Sequence, residues 1–427
     1  MSARTFIERD PALPVAHCTI AFDLGSLVDP VGKEGACSLL FRLLRRSVPG
    51  LTPTEVEQRL DSLGASVGVD VGRSVAALQA TYLSRSSDAF SQLLVSMLAS
   101  PPSDEAEFLR LKAEVQAEWV DSLDNDALIA RRFFTRHIFA PHPYARLTSG
   151  TPQSIERIEL ADLKLIHQRV VNQARLIASF SGDVTTAQVE ALMDQLALHL
   201  PTSSDYVQAP CDDPVVLPGR HLYFVDKPER SQVQILMGCA GAHPKDADRT
   251  ALYVGNIIFG GTFSARLSRE VRINRGWSYG AYSQLSHDRA RQSFSMWTFP
   301  QASDAAACIQ LELELLEQLI ERGVTKSELV AAKKYLLNSH AFSIDTASKR
   351  ATLALDEQLY SLPPLSTFKD RVSGVTVDQI HQALRSRLSA QNLVVVVLGT
   401  KDPLLSAIEA SIAGLSASQV MPFDLRE

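Results

Sequence analysis

No stretch of this 427-residue chain approaches about 18 consecutive apolar positions, so no membrane-spanning helix is expected. Basic residues are in slight deficit, with 42 Lys and Arg against 48 Asp and Glu and a formal charge of −6. A nucleic-acid partner would call for a basic patch, so none is expected. Cysteine is scarce and odd in number: Cys18, Cys37, Cys211, Cys239 and Cys308 lie far apart. That pattern excludes both a disulfide framework and a C-x-x-C zinc site. The opening residues 1–14 contain no apolar signal core, which leads to a cytoplasmic assignment, or a periplasmic one if a signal has been removed.

Motifs that carry chemistry are missing as well. Ten histidines stand at 17, 137, 142, 167, 199, 221, 243, 287, 340 and 381. A helical zinc pair needs two of them three or four residues apart, so that both imidazoles share a face. No pair satisfies this, and the closest, His137 and His142, are separated by Pro141. There is no G-x-S-x-G elbow, no phosphate-binding P-loop and no G-x-G-x-x-G. Gly260-Gly261 follows an apolar run, but no Lys-Ser/Thr completes a phosphate loop.

What is present is a repeat. The apolar run ending at Gly182 matches the run Leu393–Gly399 at an offset of 399 − 182 = 217. The segment His17–Gly25 matches Ser231–Gly241 at 241 − 25 = 216, and Ala65–Gly68 matches Trp277–Gly280 at 280 − 68 = 212. Each of these is read as a strand; the earlier ones in each half lead through a second strand (Ala76–Leu83, Ser293–Phe299) into a long helix, and those ending at Gly182 and Gly399 are each followed by another helix. Capping boxes open helices at Thr185-x-x-Gln188, Thr325-x-x-Glu328 and Thr376-x-x-Gln379. The order predicts an α+β protein of two homologous domains, each a mostly antiparallel sheet with helices packed on one face. The expected boundaries are 1–205 and 220–427, joined by a linker at 206–219 rich in turn formers and acidic residues.

One further stretch gives the repeat an identity. Phe259-Gly-Gly261-Thr-Phe-Ser264-Ala-Arg266-Leu267-Ser-Arg-Glu270-Val-Arg272-Ile-Asn-Arg275-Gly276-Trp-Ser-Tyr279 resembles a signature of the pitrilysin-like zinc peptidases, the inverzincins. Val271 stands where Leu is usual. The resemblance extends to Gly25-Ser26, Asp29-Pro30 and Gly35, to His142-Pro143-Tyr144, and to Gly150-Thr151 with Ser154-Ile155.

Active members carry H-x-x-E-H on a helix just after the glycine matched by Gly35. There two imidazoles and a distant carboxylate bind zinc, and the motif Glu acts as general base. This chain has Ser38 and Arg42 at the histidine positions and Phe41 at the base. Arg is cationic and has no lone pair to donate, and Phe has no proton to exchange. Glu118, at 118 − 42 = 76 residues further on, falls close to the family's third ligand. It is read either as a partner of Arg42 in a filled pocket or as a solvated helix carboxylate. Arg42, Arg45 and Arg46 are read as a solvated face or as a patch for a partner's acidic groups. Cys37 has no His partner and is read as a buried small hydrophobe. Trp277 and Trp297 are read as core.

The resemblance implies that Arg272 and Tyr279, seven apart, reach a peptide carbonyl bound at zinc. It therefore implies a non-catalytic subunit, similar to the alpha partner of mitochondrial processing peptidase and to bacterial heterodimeric relatives. The chain itself would hold no metal or cofactor and cleave nothing alone. Zinc would sit in a homologous partner with intact H-x-x-E-H, and the ligand would be an extended peptide. The long glycine-rich loop of the mitochondrial subunit is absent around Val48–Pro53, which favours a bacterial-type peptidase. Two other roles compatible with the pattern are a structural subunit like the respiratory core proteins and a peptide-enclosing homodimer.

Overall fold

The structure, a computed structural model, describes residues 4–207 and 212–424, so Cys211 and the centre of the expected linker lie outside the described residues. The first sheet contains β1 (Arg4–Arg9), β2 (Val15–Phe22), β3 (Ser66–Val71), β4 (Ala76–Leu83) and β5 (Leu176–Gly182), in the order β1-β5-β2-β4-β3. The second contains β6 (Arg220–Asp226), β7 (Gln234–Ala240), β8 (Ala281–Leu285), β9 (Ser293–Thr298), β10 (Leu393–Gly399) and β11 (Leu415–Pro422), in the order β11-β6-β10-β7-β9-β8. Central pairs are antiparallel, whereas β1–β5, β6–β10 and β6–β11 are parallel. The α+β expectation is met.

All but one of the repeated strands fall where the sequence pattern places them. In the first sheet Ile20, Phe22, Leu78 and Phe180 point into a core closed by the helices Ala36–Leu44, Ser87–Ala99, Leu160–Val170 and Thr186–His199. In the second, Phe224, Ile235, Met237, Phe294, Val395 and Val397 do the same beneath Arg249–Phe259, Ala305–Arg322 and Val377–Arg387. Burying these apolar faces is the main driving force for each core, on the order of 25 cal/mol per Å². The capping boxes at Thr185, Thr325 and Thr376 all form.

Three expectations need revision. Helices do not keep to one face of each sheet. The helix Ala347–Tyr360 covers the other side of the first sheet, where Leu355 and Leu359 pack on Ala21, Ala77 and Ile177. The helix Asp126–Phe139 covers the other side of the second, packing on β7 and β10. Gly238 makes room for it, since a Cβ there would lie 2.7 Å from the Phe134 ring.

Each of these covering helices comes from the opposite half of the sequence. The compact units therefore interleave, in place of the contiguous 1–205 and 220–427. One comprises Met1–Trp119, Leu147–Pro210 and Ala341–Leu365, the other Val120–Arg146, Cys211–His340 and Ser366–Glu427. Third, Trp277–Gly280 is not a strand. It is an irregular loop, and β8 begins at Ala281.

Candidate functional site

The helix Ala36–Leu44 is placed by the residues around its start. Asp29, itself buried, accepts hydrogen bonds from the Gly35 and Cys37 backbone N–H groups at 2.9 and 2.8 Å. Such a carboxylate caps orphan donors and complements the helix dipole. Gly35 has φ +96, and a side chain there would lie 2.8 Å from the Ser149 carbonyl oxygen. Ser154 Oγ donates to the Glu34 carbonyl at 2.8 Å. The first-half motif residues thus anchor this helix. In the second unit, His142 Nδ1 accepts from the Tyr144 N–H at 3.1 Å, and the buried Tyr144 hydroxyl accepts from the Ala290 N–H at 3.2 Å.

Ser38, Phe41 and Arg42 share one stretch of this helix, but their chemistry is closed. Phe41 is fully buried and meets Phe22 edge to face at 6.0 Å. Arg42 makes a two-pronged pair with Glu118, with Nη1 and Nη2 each 2.7 Å from a carboxylate oxygen. Its Nη2 also donates to Glu114 Oε1 at 2.9 Å. Glu114 and Glu118 lie one turn apart on the helix Glu105–Ser122 and so present to one face. Of the two readings of Glu118, pairing with Arg42 is the one realised.

Arg46 adds a second fork on Glu114, at 2.8 and 2.7 Å, and approaches Glu107 at 3.6 Å. Arg110 grips Glu107 twice at 2.7 Å. Hydrogen bonding from Arg46 pulls the Glu114 carboxyl down to about 2, against the opposing effect of burial. Arg45 bonds the Val67 carbonyl at 2.7 Å and Glu57 at 2.7 Å. The three arginines are therefore neither a solvated face nor a free patch, because each is paired within its own unit. Burial, with Asp29 nearby, pushes the Cys37 thiol far up, which fits an inert core position.

These donors do not fit zinc. Two of the four inherited positions offer a phenyl ring and a guanidinium. The carboxylate at the third-ligand position is already engaged by Arg42. Among the described residues no group of three or more His, Cys, Asp or Glu is arranged to hold a metal ion.

The second-half segment is built differently. Gly260 and Gly261 pass so close to Ser283 and Ile257 that a Cβ on either would lie under 3.0 Å from its neighbours. Leu267 and Val271 are fully buried, so the Val in place of Leu still fills an apolar position. Arg266 forks onto Glu328 at 2.6 and 2.7 Å, the same Glu that closes the capping box on Thr325. Its burial is outweighed by Arg266 and Thr325, which hold its carboxyl at about 2. Arg266 is thus a tie between two helices.

Residues Arg269–Asn274 form a π-helical turn, a rare geometry that recurs at functional sites. Gly276 leaves it at φ +67, and the buried Ser278 pins the loop by donating to the Gly280 carbonyl at 2.6 Å and accepting from the Phe299 N–H at 3.1 Å. Between the pinned residues Tyr279 projects outward, 77% exposed. Arg272 lies over its ring, with Cζ 4.5 Å from the centroid. The acidic neighbour Glu270 is occupied by Arg275 at 2.7 Å. The sequence motif therefore brings Arg272 and Tyr279 together at the surface.

Trp297 Nε1 donates to Gln234 at 2.9 Å, and Trp277 packs on the core edge. The outer side of β8 is closed, because Ser283 N–H donates to the Gly260 carbonyl at 3.0 Å and its carbonyl accepts from Asn256 at 3.4 Å. β3 carries no further strand on its outer side among the described residues. The pairing of Arg46 with Glu114 and the ring of Phe263 beside Arg272 were not picked out by spacing. The first had a visible signal, two acids a turn apart opposite three arginines. The second had one in an aromatic set among small polar residues.

With this duplicated α+β plan and second-half segment, the chain is similar to pitrilysin-like proteins of the inactive type. Residues 157–336 match the family model described as the peptidase M16 inactive domain. The non-peptidase homologue YmxG of Helicobacter pylori is 22% identical over 92% of this chain and 91% of its own. An uncharacterised zinc protease of Mycobacterium leprae is 23% identical over 91% and 88%. Among solved structures, a peptidase M16 inactive domain from Pseudomonas fluorescens superposes with a TM-score of 0.85 at 25% identity, covering 93% of this chain and 95% of that one. The resemblance read from the second-half motif is borne out. No helix among the described residues is long and apolar enough to cross a membrane.

Proposed function

We propose that this chain is the non-catalytic, substrate-binding subunit of a two-chain zinc peptidase. In this reading a homologous partner with intact H-x-x-E-H holds the metal and its bound water. This chain supplies two donors, the Arg272 guanidinium and the Tyr279 hydroxyl, to the substrate carbonyl as it gains negative charge. Donors placed where charge develops are among the largest single contributions to catalysis. The observation that carries the reading is the state of Arg272. It stands beside exposed Tyr279 with its acidic neighbour already taken, while the positions of the metal motif are filled. An extended peptide would gain main-chain hydrogen bonds by adding to a sheet edge, with weak sequence selectivity.

The test is reconstitution. The partner to test is a homologous chain with intact H-x-x-E-H, and a neighbouring reading frame encoding one would support the reading. Alone, this chain is expected to purify without stoichiometric zinc and to hydrolyse no peptide. Mixed with the partner, it restores cleavage of a fluorogenic peptide. Arg272→Ala in the mixture lowers kcat by on the order of 10²–10³, and Tyr279→Phe lowers it in the same direction. Unchanged turnover in both variants would remove the assigned role. A chain that forms only homodimers and ignores the partner would replace it with the peptide-enclosing alternative.

A further inference from the structure

Phe263 stands out because nothing in the fold requires it. It is 59% exposed, in the turn between the close-packed Gly260-Gly261 and the buried Ala265, and is not part of the hydrophobic core. A large ring left in water this way contributes little through burial. Arg272 lies against it, with Cζ 4.1 Å from the Phe263 centroid, closer than to the Tyr279 ring at 4.5 Å.

How an arginine is held decides what it can still do. A carboxylate holds a guanidinium by its N–H edge and uses up those donors. A ring holds it by its face and leaves the N–H groups, which lie in the plane, unspent. Around Arg272 the carboxylate route is closed, because Glu270 accepts from Arg275 at 2.7 Å and from Asn274 at 3.1 Å. No hydrogen bond or ion pair joins the Arg272 side chain to another described residue. Among the described residues the rings of Phe263 and Tyr279 lie against its guanidinium.

We propose that Phe263 is the positioning residue of Arg272: its ring fixes the guanidinium plane next to Tyr279 while keeping the N–H edge free for a peptide oxygen. This rests on the reading above, in which that edge meets substrate. It also explains why Arg is needed, since a Lys ammonium has no plane for a ring to orient. Phe263 itself touches no reacting atom.

Two measurements separate this inference from the reading beneath it. The first uses the isolated full-length chain and needs no partner. In a ¹⁵N-arginine sample, the Nε–Hε resonance of Arg272, assigned by its loss in Arg272→Lys, is expected to be shifted by the ring current. Phe263→Leu abolishes most of that shift and Phe263→Trp keeps it. A resonance that does not move in Phe263→Leu overturns the proposal outright. The second uses the reconstituted pair. Phe263→Leu is expected to lower kcat about two- to five-fold, the worth of an exposed cation–π contact, with KM nearly unchanged, and Phe263→Trp restores it. Wild-type kcat in Phe263→Leu, alongside a collapsed Arg272→Ala, also overturns it. If Arg272→Ala retains full turnover, the substrate role fails instead, and the resonance still decides whether Phe263 holds Arg272.

Discussion

Arg42 and Arg272 are the same side chain put to opposite uses. Arg42, at a position where the resemblance expects a metal-binding histidine, spends its N–H groups on Glu114 and Glu118. It closes a pocket. Arg272 is held by the faces of Phe263 and Tyr279 and spends none of its N–H groups on a described residue. It is presented. The difference lies in the neighbours. Where acids stand a turn apart on a facing helix, a guanidinium becomes mortar. Where the only acid is already taken and rings are exposed, it stays available. A lost catalytic site thus need not be a vacancy. Here one unit has converted its site into packing and ion pairs, while the other keeps its donors unspent.

The strongest attempt to break that comparison is to return a carboxylate to the emptied helix. If the first unit were only a decayed metal site, Phe41→Glu would be tolerated. The ring is fully buried against Phe22, so a carboxylate there meets no water and no partner. Phe41→Glu should destabilise the chain by about 3 kcal/mol or more, measured by urea unfolding at pH 7.

A contrast between buried acids sharpens it next. Glu312, on the helix Ala305–Arg322, is fully buried. Desolvation raises its carboxyl to about 8, while Thr298 and Cys308 pull weakly the other way. A group raised on folding is protonated in the native state and ionised in the unfolded one between about 4.5 and 8. Its effect on stability is therefore most favourable below about 4.5 and is lost as pH rises through 8. Glu312→Gln removes that dependence, so the variant should gain on wild type by on the order of a few kcal/mol between pH 5 and pH 9. Parallel unfolding curves at the two pH values for both proteins check this, and equal pH profiles would refute it.

Much of this was legible in the sequence because chemistry imposes spacing. Ser38, Phe41 and Arg42 could be placed without structure, since H-x-x-E-H has a fixed register after Gly35. Arg272 and Tyr279 are singled out by the resemblance, which expects an Arg and a Tyr seven apart. Periodicity, however, reports which face of a helix is apolar and not which sheet it will cover. The exchange of Asp126–Phe139 and Ala347–Tyr360 between halves was therefore invisible. Tyr279 was expected in a strand because Ala65–Gly68 suggested one. Of the Ser278 bonds that hold its loop irregular, one joins residues 21 apart in the chain. Glu114 escaped notice because inherited spacing pointed to Glu118, whereas Glu114 is the acid that both Arg42 and Arg46 reach.

That last point yields the smallest effects and the finest test. Glu114 is held at about 2 mainly by Arg46, so its contribution to stability is complete above about 4.5 and disappears as pH falls toward 2. Arg46→Ala leaves Glu114 and the buried Glu107 short of a partner and should destabilise by about 1.5–3 kcal/mol at pH 7. The deficit should shrink steadily on acidification, because wild type then surrenders the same interaction. Arg42→Ala should matter less, about 0.5–1 kcal/mol, since Glu118 is half exposed and its charge returns to water. Denaturant titrations of both variants from pH 7 to pH 3 separate the two. If Arg42→Ala proved the costlier, or if the Arg46→Ala deficit ignored pH, the cluster would be held by packing of the arginine stems, and the account of Arg42 as a spent guanidinium would lose its electrostatic basis.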